Sequence, residues 1–107
     1  MKVAIASKDG INVNEHFGKA NRFLIYTITD SEMDLEEVRP TEPLSVGDPN
    51  HPFDAAKFSG ILNAIRDCKK VIVTKVGPTP ESKLKENGIE PMIYTGPIND
   101  IPMTSLQ

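Results

Sequence analysis

His16 is the side chain with the widest chemical reach in this chain, because an imidazole can ligate a metal, carry a proton or hold a hydrogen bond. It lies in Val13-Asn14-Glu15-His16-Phe17-Gly18-Lys19-Ala20-Asn21-Arg22. Lys8, Lys19 and Arg22 accompany it against Asp9 and Glu15, so the stretch is slightly positive in a chain of net charge -3. Cations gathered beside one imidazole can hold a small anion. Phe17 suits an apolar anchor, and Gly18 suits a close backbone approach. Residue types alone favour the plainer reading, a loop or capping histidine with a structural hydrogen bond, and leave a ligand role open.

The other reactive groups are weaker candidates. His51, in Asn50-His51-Pro52, reads as an exposed loop residue that could approach the same edge. Cys68 is the only cysteine, which excludes an internal disulfide and any all-cysteine metal site made by one chain. Its default role is a small core residue. Asp9 follows an apolar run, but a two-metal nuclease needs several carboxylates on neighbouring strand ends, and the other acids fall elsewhere. Ser7 with His16 lacks a nucleophile elbow. Gly77-Pro78-Thr79-Pro80 lacks the spacing and lysine of a phosphate loop.

The elements that must position these groups follow from pattern. Val3 to Ala6 is continuously apolar and ends in Ser7-Lys8-Asp9-Gly10, which predicts a strand buried on both faces and then a turn. Phe23 to Ile28 predicts a second strand. Thr29 to Glu32 is a turn, and Met33 to Arg39 a third strand carrying much of the acidic cluster Asp30, Glu32, Asp34, Glu36 and Glu37. Charge of that density suits a sheet edge. Pro40 to Pro52 is a loop. Phe58, Ile61, Leu62 and Ile65 make a helical stripe from an Asp54 N-cap to about Asp67. Val71 to Val73 is another buried strand. Thr79 can cap a further helix with Pro80 first and Gly88 at its stop. Ile89 to Tyr94 is the last strand, and an irregular tail runs from about residue 96.

This order predicts an α/β fold in one domain, 1–107: a mixed five-stranded sheet with a parallel core and helices on both faces. If the first strand pairs with Val71–Val73, the Ser7–Gly18 loop faces the start of the Thr79 helix. Open α/β sheets keep their ligands at that edge, and a helix N-terminus there favours anions.

Composition bounds the rest. The apolar fraction of 38% and charged fraction of 25% fit a globular chain rather than a disordered one. A chain of 107 residues buries roughly 60–70% of its unfolded surface, enough for a core without staples. The acidic balance argues against a nucleic-acid partner. No signal peptide or membrane-length apolar run is seen, so a cytoplasmic protein without a membrane partner is expected.

Val3-Ala4-Ile5-Ala6, Asp9-Gly10, Val13 to Ala20 and Phe23-Leu24-Ile25-Tyr26 together resemble the dinitrogenase iron–molybdenum cofactor accessory family. Asp67 to Val73, Gly77-Pro78, Leu84 and Asn87-Gly88-Ile89 extend the resemblance in more generic α/β pieces. It omits the Pro40–His51 loop and the tail. The resemblance implies a ribonuclease-H-like three-layer fold without nuclease activity. It also implies a non-catalytic carrier or insertion chaperone for an iron–molybdenum–sulfur cluster or its precursor, which need not remain bound on purification. Cofactor-biosynthesis or nitrogenase-like proteins are the implied partners. Members also form the tail domain of a cofactor-synthesis enzyme, whose radical-chemistry cysteines are absent here. His16 is the implied cluster ligand, with Lys8, Lys19 and Arg22 as electrostatic support. A finished cluster needs few protein ligands, so one imidazole with cations and amides suffices. The alternative is a metal-free interaction or regulatory module that docks through the sheet edge or the Pro40–Pro52 loop.

Overall fold

A computed structural model describes residues 1–44 and 53–106; His51 and Pro52 lie outside the described residues. Strand β1 (Lys2–Ile5) is central, antiparallel to β3 (Arg22–Ile28) and parallel to β5 (Lys70–Val73). Val3, Ala4, Ile5 and Ala6 are fully buried, as a run without polar alternation requires. A hairpin turn, with the Thr29 N–H donating to the Glu32 carbonyl at 2.9 Å, leads into β4 (Met33–Pro40). β4 forms one edge, and β6 (Glu90–Ile93), parallel to β5, forms the other. The five strands run β4-β3-β1-β5-β6, the mixed sheet expected, with the acidic strand at an edge.

Helix α1 (Ala55–Ala64) starts where the Asp54 carboxylate accepts from the Ala56 and Lys57 amides at 3.0 Å each. It stops three residues short of the predicted Asp67. Arg39 accounts for the stop: its guanidinium donates to the Ala64 carbonyl at 2.8 Å and to Asp67 at 2.6 Å, placing a cation on the negative end of the helix. Helix α2 (Pro78–Glu86) begins two residues earlier than its sequence suggests, with Gly77 rather than Thr79 at the cap. Pro78 and Pro80 both fall in the first turn, where no intrahelical N–H is needed. Gly88 takes φ +76° behind the helix end, a backbone region that favours glycine.

Two corrections concern the layers. Phe58 and Ile61 of α1 and Leu84 of α2 share one cluster with Ala4, Phe23, Ile25, Val71 and Val73. Both α-helices therefore cover the same sheet face, not opposite ones. The cause is handedness: α1 carries the chain from β4 to β5 and α2 from β5 to β6, parallel strands that advance in one direction across the sheet, and right-handed crossovers then fall on one side. The opposite face, with Val3, Ile5, Leu24, Ile28 and Ile72, is sealed by Ile98, Ile101 and Leu106. The segment from residue 96 is thus core rather than loose tail. It opens as β7 (Gly96–Pro97), paired antiparallel with β2 (Asn12–Val13), and continues in 3-10 turns at Ile98–Asp100 and Met103–Leu106.

Leu106 is fully buried, so Leu106→Ala is expected to cost about 2–5 kcal/mol. Urea unfolding measures this, and an unchanged midpoint would remove the segment from the core.

Candidate functional site

The candidate site grows from the C-terminal ends of β1 and β5. Phe17 is fully buried, with its ring centroid 5.9 Å from that of Phe23 and 6.2 Å from that of Phe58. It anchors the loop between sheet and α1. Beside it, the Thr74 N–H donates to the Glu15 carbonyl at 3.0 Å and the Phe17 N–H to the Lys75 carbonyl at 2.9 Å. The loop is therefore stitched to the end of β5, at residues just before the Gly77 helix cap.

His16 is held between these two stitches. Its backbone is extended (φ -77°, ψ 148°) and caps a 3-10 turn, Phe17–Lys19, without using its side chain. Its N–H donates to the Glu15 carboxylate at 2.9 Å, and its carbonyl accepts from the Lys19 and Ala20 amides at 3.2 and 3.1 Å. The main chain is satisfied, while the half-buried imidazole has no hydrogen-bond partner among the described residues. His16 therefore stands at a cap through its backbone alone, and its ring makes no capping hydrogen bond.

The preceding loop is built on Asp9. One carboxylate oxygen accepts from the Ile11 and Asn12 amides at 2.9 Å each and from the Ser7 hydroxyl at 3.2 Å. The other accepts from the Asn12 and Asn14 side-chain amides at 3.1 and 3.3 Å. The Asn12 amide first, then that of Ile11, hold this carboxyl well below the usual carboxylate range. Asn14 in turn accepts from the Lys8 N–H at 2.7 Å. Gly10 completes the turn at φ +76°. Asp9 is thereby committed to loop structure. Its role was legible in the Asp9-Gly10 pair, a turn signal; the contribution of Asn14 was not.

The three cations are brought together, but not in one role. Lys8, Lys19 and Arg22 line one groove of about 630 Å³ together with Glu15, Val38 and Pro40. Lys8 and Lys19 are exposed. Arg22 is half-buried and acts as a strut, donating to the Lys8 carbonyl at 2.8 Å and the Ser7 carbonyl at 3.5 Å. His16 is not among the groove-lining residues, although Glu15 beside it is.

Cys68 is buried, and burial pushes its thiol up to about 12. It precedes β5, whereas the His16 loop meets the strand's far end. Six residues at roughly 3.3 Å each separate Cys68 from Thr74 by about 20 Å, so the two cannot share a ligand. Among the described residues no group of three or more His, Cys, Asp or Glu side chains could hold a metal ion. A bare ion thus lacks a ligand set of three such side chains among the described residues.

Residues 1–101 match the family described as dinitrogenase iron-molybdenum cofactor. The chain belongs to that family. It is 40% identical over 93 residues to the FeMo cofactor biosynthesis protein NifB of Klebsiella pneumoniae, a match spanning 85% of this chain and 20% of the relative. The NifB of Chlorobaculum tepidum is 34% identical over 92% of this chain and 22% of its own length. The chain therefore spans about a fifth of the length of these relatives. In solved structures, PH0822 shares the fold with a TM-score of 0.68 at 24% identity, over 99% of this chain and 89% of its own. The Thermotoga protein TM1290, solved by NMR, follows at 0.59 and 20%, over 92% and 81%. In this member, no helix among the described residues is long and apolar enough to cross a membrane.

Two outcomes are expected. A carboxyl whose folded pKa lies below its unfolded value, ~3.9 for Asp, stabilises fully above that value and loses the contribution as pH falls toward the folded one. Thermal melts should therefore hold from about pH 7 to 5 and decline below about pH 4, and Asp9→Asn should flatten the decline while lowering the plateau. An identical acid limb in the variant contradicts the Asp9 assignment. Cys68 should resist thiol reagents at pH 8 until denaturant is added; rapid labelling of the native protein contradicts its burial.

Proposed function

We propose that this chain is a non-catalytic carrier or insertion chaperone for an iron–molybdenum–sulfur cluster or its precursor. The observation that carries the reading is the His16 imidazole. It is fixed in position by a fully hydrogen-bonded main chain, half-exposed, and without a side-chain partner among the described residues. One neutral imidazole can take an open position on a metal whose other ligands are sulfides. A single ligand also permits release, which several thiolates would oppose. Lys8 and Lys19 are close in the chain to oppose a cluster's negative charge, while Arg22 supports the site mainly by bracing the loop.

The carrier reading places the protein in the cytoplasm, receiving its cargo from and handing it to cofactor-biosynthesis or nitrogenase-like proteins. It also fits the ribonuclease-H-like label for the sheet, with no nuclease chemistry: Asp9 is fully engaged by its own loop. The second reading, a metal-free docking module, draws on Leu35 and Val38, which are 53% and 49% exposed on edge strand β4.

Anaerobic titration of the apo-protein with isolated cofactor, followed by absorbance, separates the two. Wild type should saturate at one cluster per chain, and His16→Ala should bind at least about tenfold more weakly, ~1.4 kcal/mol, with an unchanged melting temperature. Equal affinities would remove His16 from the role, and no binding by either protein would favour the docking module.

A further inference from the structure

Thr74, at the end of β5, carries an unexplained polar group next to His16. Its Oγ1 is the only buried side-chain polar atom without a hydrogen-bond partner among the described residues. Burying a hydroxyl without a partner is unfavourable, and such groups are rare enough to need a reason. We propose that Thr74 is a positioning residue for His16: when Nε2 of the imidazole ligates a metal, Thr74 Oγ1 accepts a hydrogen bond from Nδ1–H and fixes the ring. The inference rests on the ligand role of His16 proposed above and adds the group that orients it.

The backbone sets the two residues side by side. The Thr74 N–H donates to the Glu15 carbonyl at 3.0 Å, and the Phe17 N–H to the Lys75 carbonyl at 2.9 Å. His16 lies between these bonds, so its chain runs beside that of Thr74 as neighbouring strands do, about 4.8 Å apart. Both side chains face the same way. Val71 and Val73 join the helix-side cluster and Ile72 the opposite one, so alternation turns Thr74 to the side of Ile72. Phe17 also enters the helix-side cluster, and the extended His16 before it points away from that side.

Each group lacks what the other offers. The imidazole and the hydroxyl are both without a side-chain partner among the described residues. A metal-bound imidazole commonly donates its other ring N–H to a neighbouring acceptor, which sets the tautomer and the ring orientation. Glu15 already accepts from the His16 main chain at 2.9 Å, whereas the Thr74 hydroxyl is unengaged. Nδ1 lies two bonds from its Cβ and Oγ1 one bond from its own. A turn of the ring about its side-chain torsions therefore brings them within hydrogen-bond reach from adjacent positions on one face.

The test uses a probe that takes one imidazole and does not depend on the cluster. Pentaammineruthenium(II) is attached to the full chain carrying His51→Gln, so that His16 is the histidine labelled. Proton NMR should show the ring N–H exchanging with water at least about tenfold more slowly than when Thr74→Val is added, the effect of one net hydrogen bond. Thr74→Ser, which keeps the hydroxyl, should retain the slow exchange. Without the probe, Thr74→Val should keep or raise the melting temperature, because an apolar isostere relieves an unpartnered group. Equal exchange with and without the hydroxyl, a ring that the probe cannot label, or a lower melting temperature in Thr74→Val would each overturn the proposal. Isolated cofactor supplies the second arm: Thr74→Val should weaken its binding by about tenfold or more, as loss of a ligand's orienting partner does. Cofactor bound equally by Thr74→Val and wild type overturns the proposal and leaves the carrier reading intact. A held ring N–H in a protein that binds no cofactor supports the role of Thr74 and removes the carrier reading.

Discussion

The burial of Phe17 is the constraint on which the site depends. Its ring fills the space between the sheet and α1 against Phe23 and Phe58, and a side chain of that size contributes several kcal/mol to a core, by order of magnitude. The chain cannot leave that position without opening a cavity. Its neighbour His16 is consequently fixed at the surface, and two backbone hydrogen bonds to Thr74 and Lys75 fix the loop to β5. The protein spends main-chain hydrogen bonds on placing this loop and leaves the imidazole out of them. That division is what the proposed ligand role of His16 requires, a fixed loop position with an unengaged ring.

The remaining elements serve this placement from three sides. β1 is locked between β3 and β5, so its C-terminal end is rigid where the loop departs. Asp9 and Asn14 tie the loop internally, and Arg22 of β3 braces it from outside. The C-terminal segment pairs with β2 three residues before His16 and seals the second sheet face. Cys68 and Asp67 lie just before β5, at the far end of that strand from the His16 loop, and Asp67 there accepts from Arg39 of β4.

Much of this was legible because the signals were local. An unbroken apolar run gave β1, the Asp54 cap gave α1, and the acidic strand announced an edge. The helix boundaries shifted where a tertiary partner intervened, as Arg39 did at Ala64. The layer arrangement was missed because crossover direction depends on strand order, which no single segment encodes. The C-terminal segment was missed because Ile98, Ile101 and Leu106 are spaced as neither helix nor strand; they are core residues only once a sheet face lies beneath them. At the site, His16 and the cations stood out by type. The strut role of Arg22 and the linking role of Asn14 depend on contacts that sequence spacing does not reveal.

The central claim is that one imidazole nitrogen, that of His16, ligates the cluster. Pulsed electron paramagnetic resonance on a paramagnetic cluster bound to His51→Gln protein tests it, since that variant leaves His16 as the sole histidine of the two in the chain. The account predicts a nitrogen coupling that changes when histidine is labelled with the heavier nitrogen isotope. Identical spectra from labelled and unlabelled protein would contradict it.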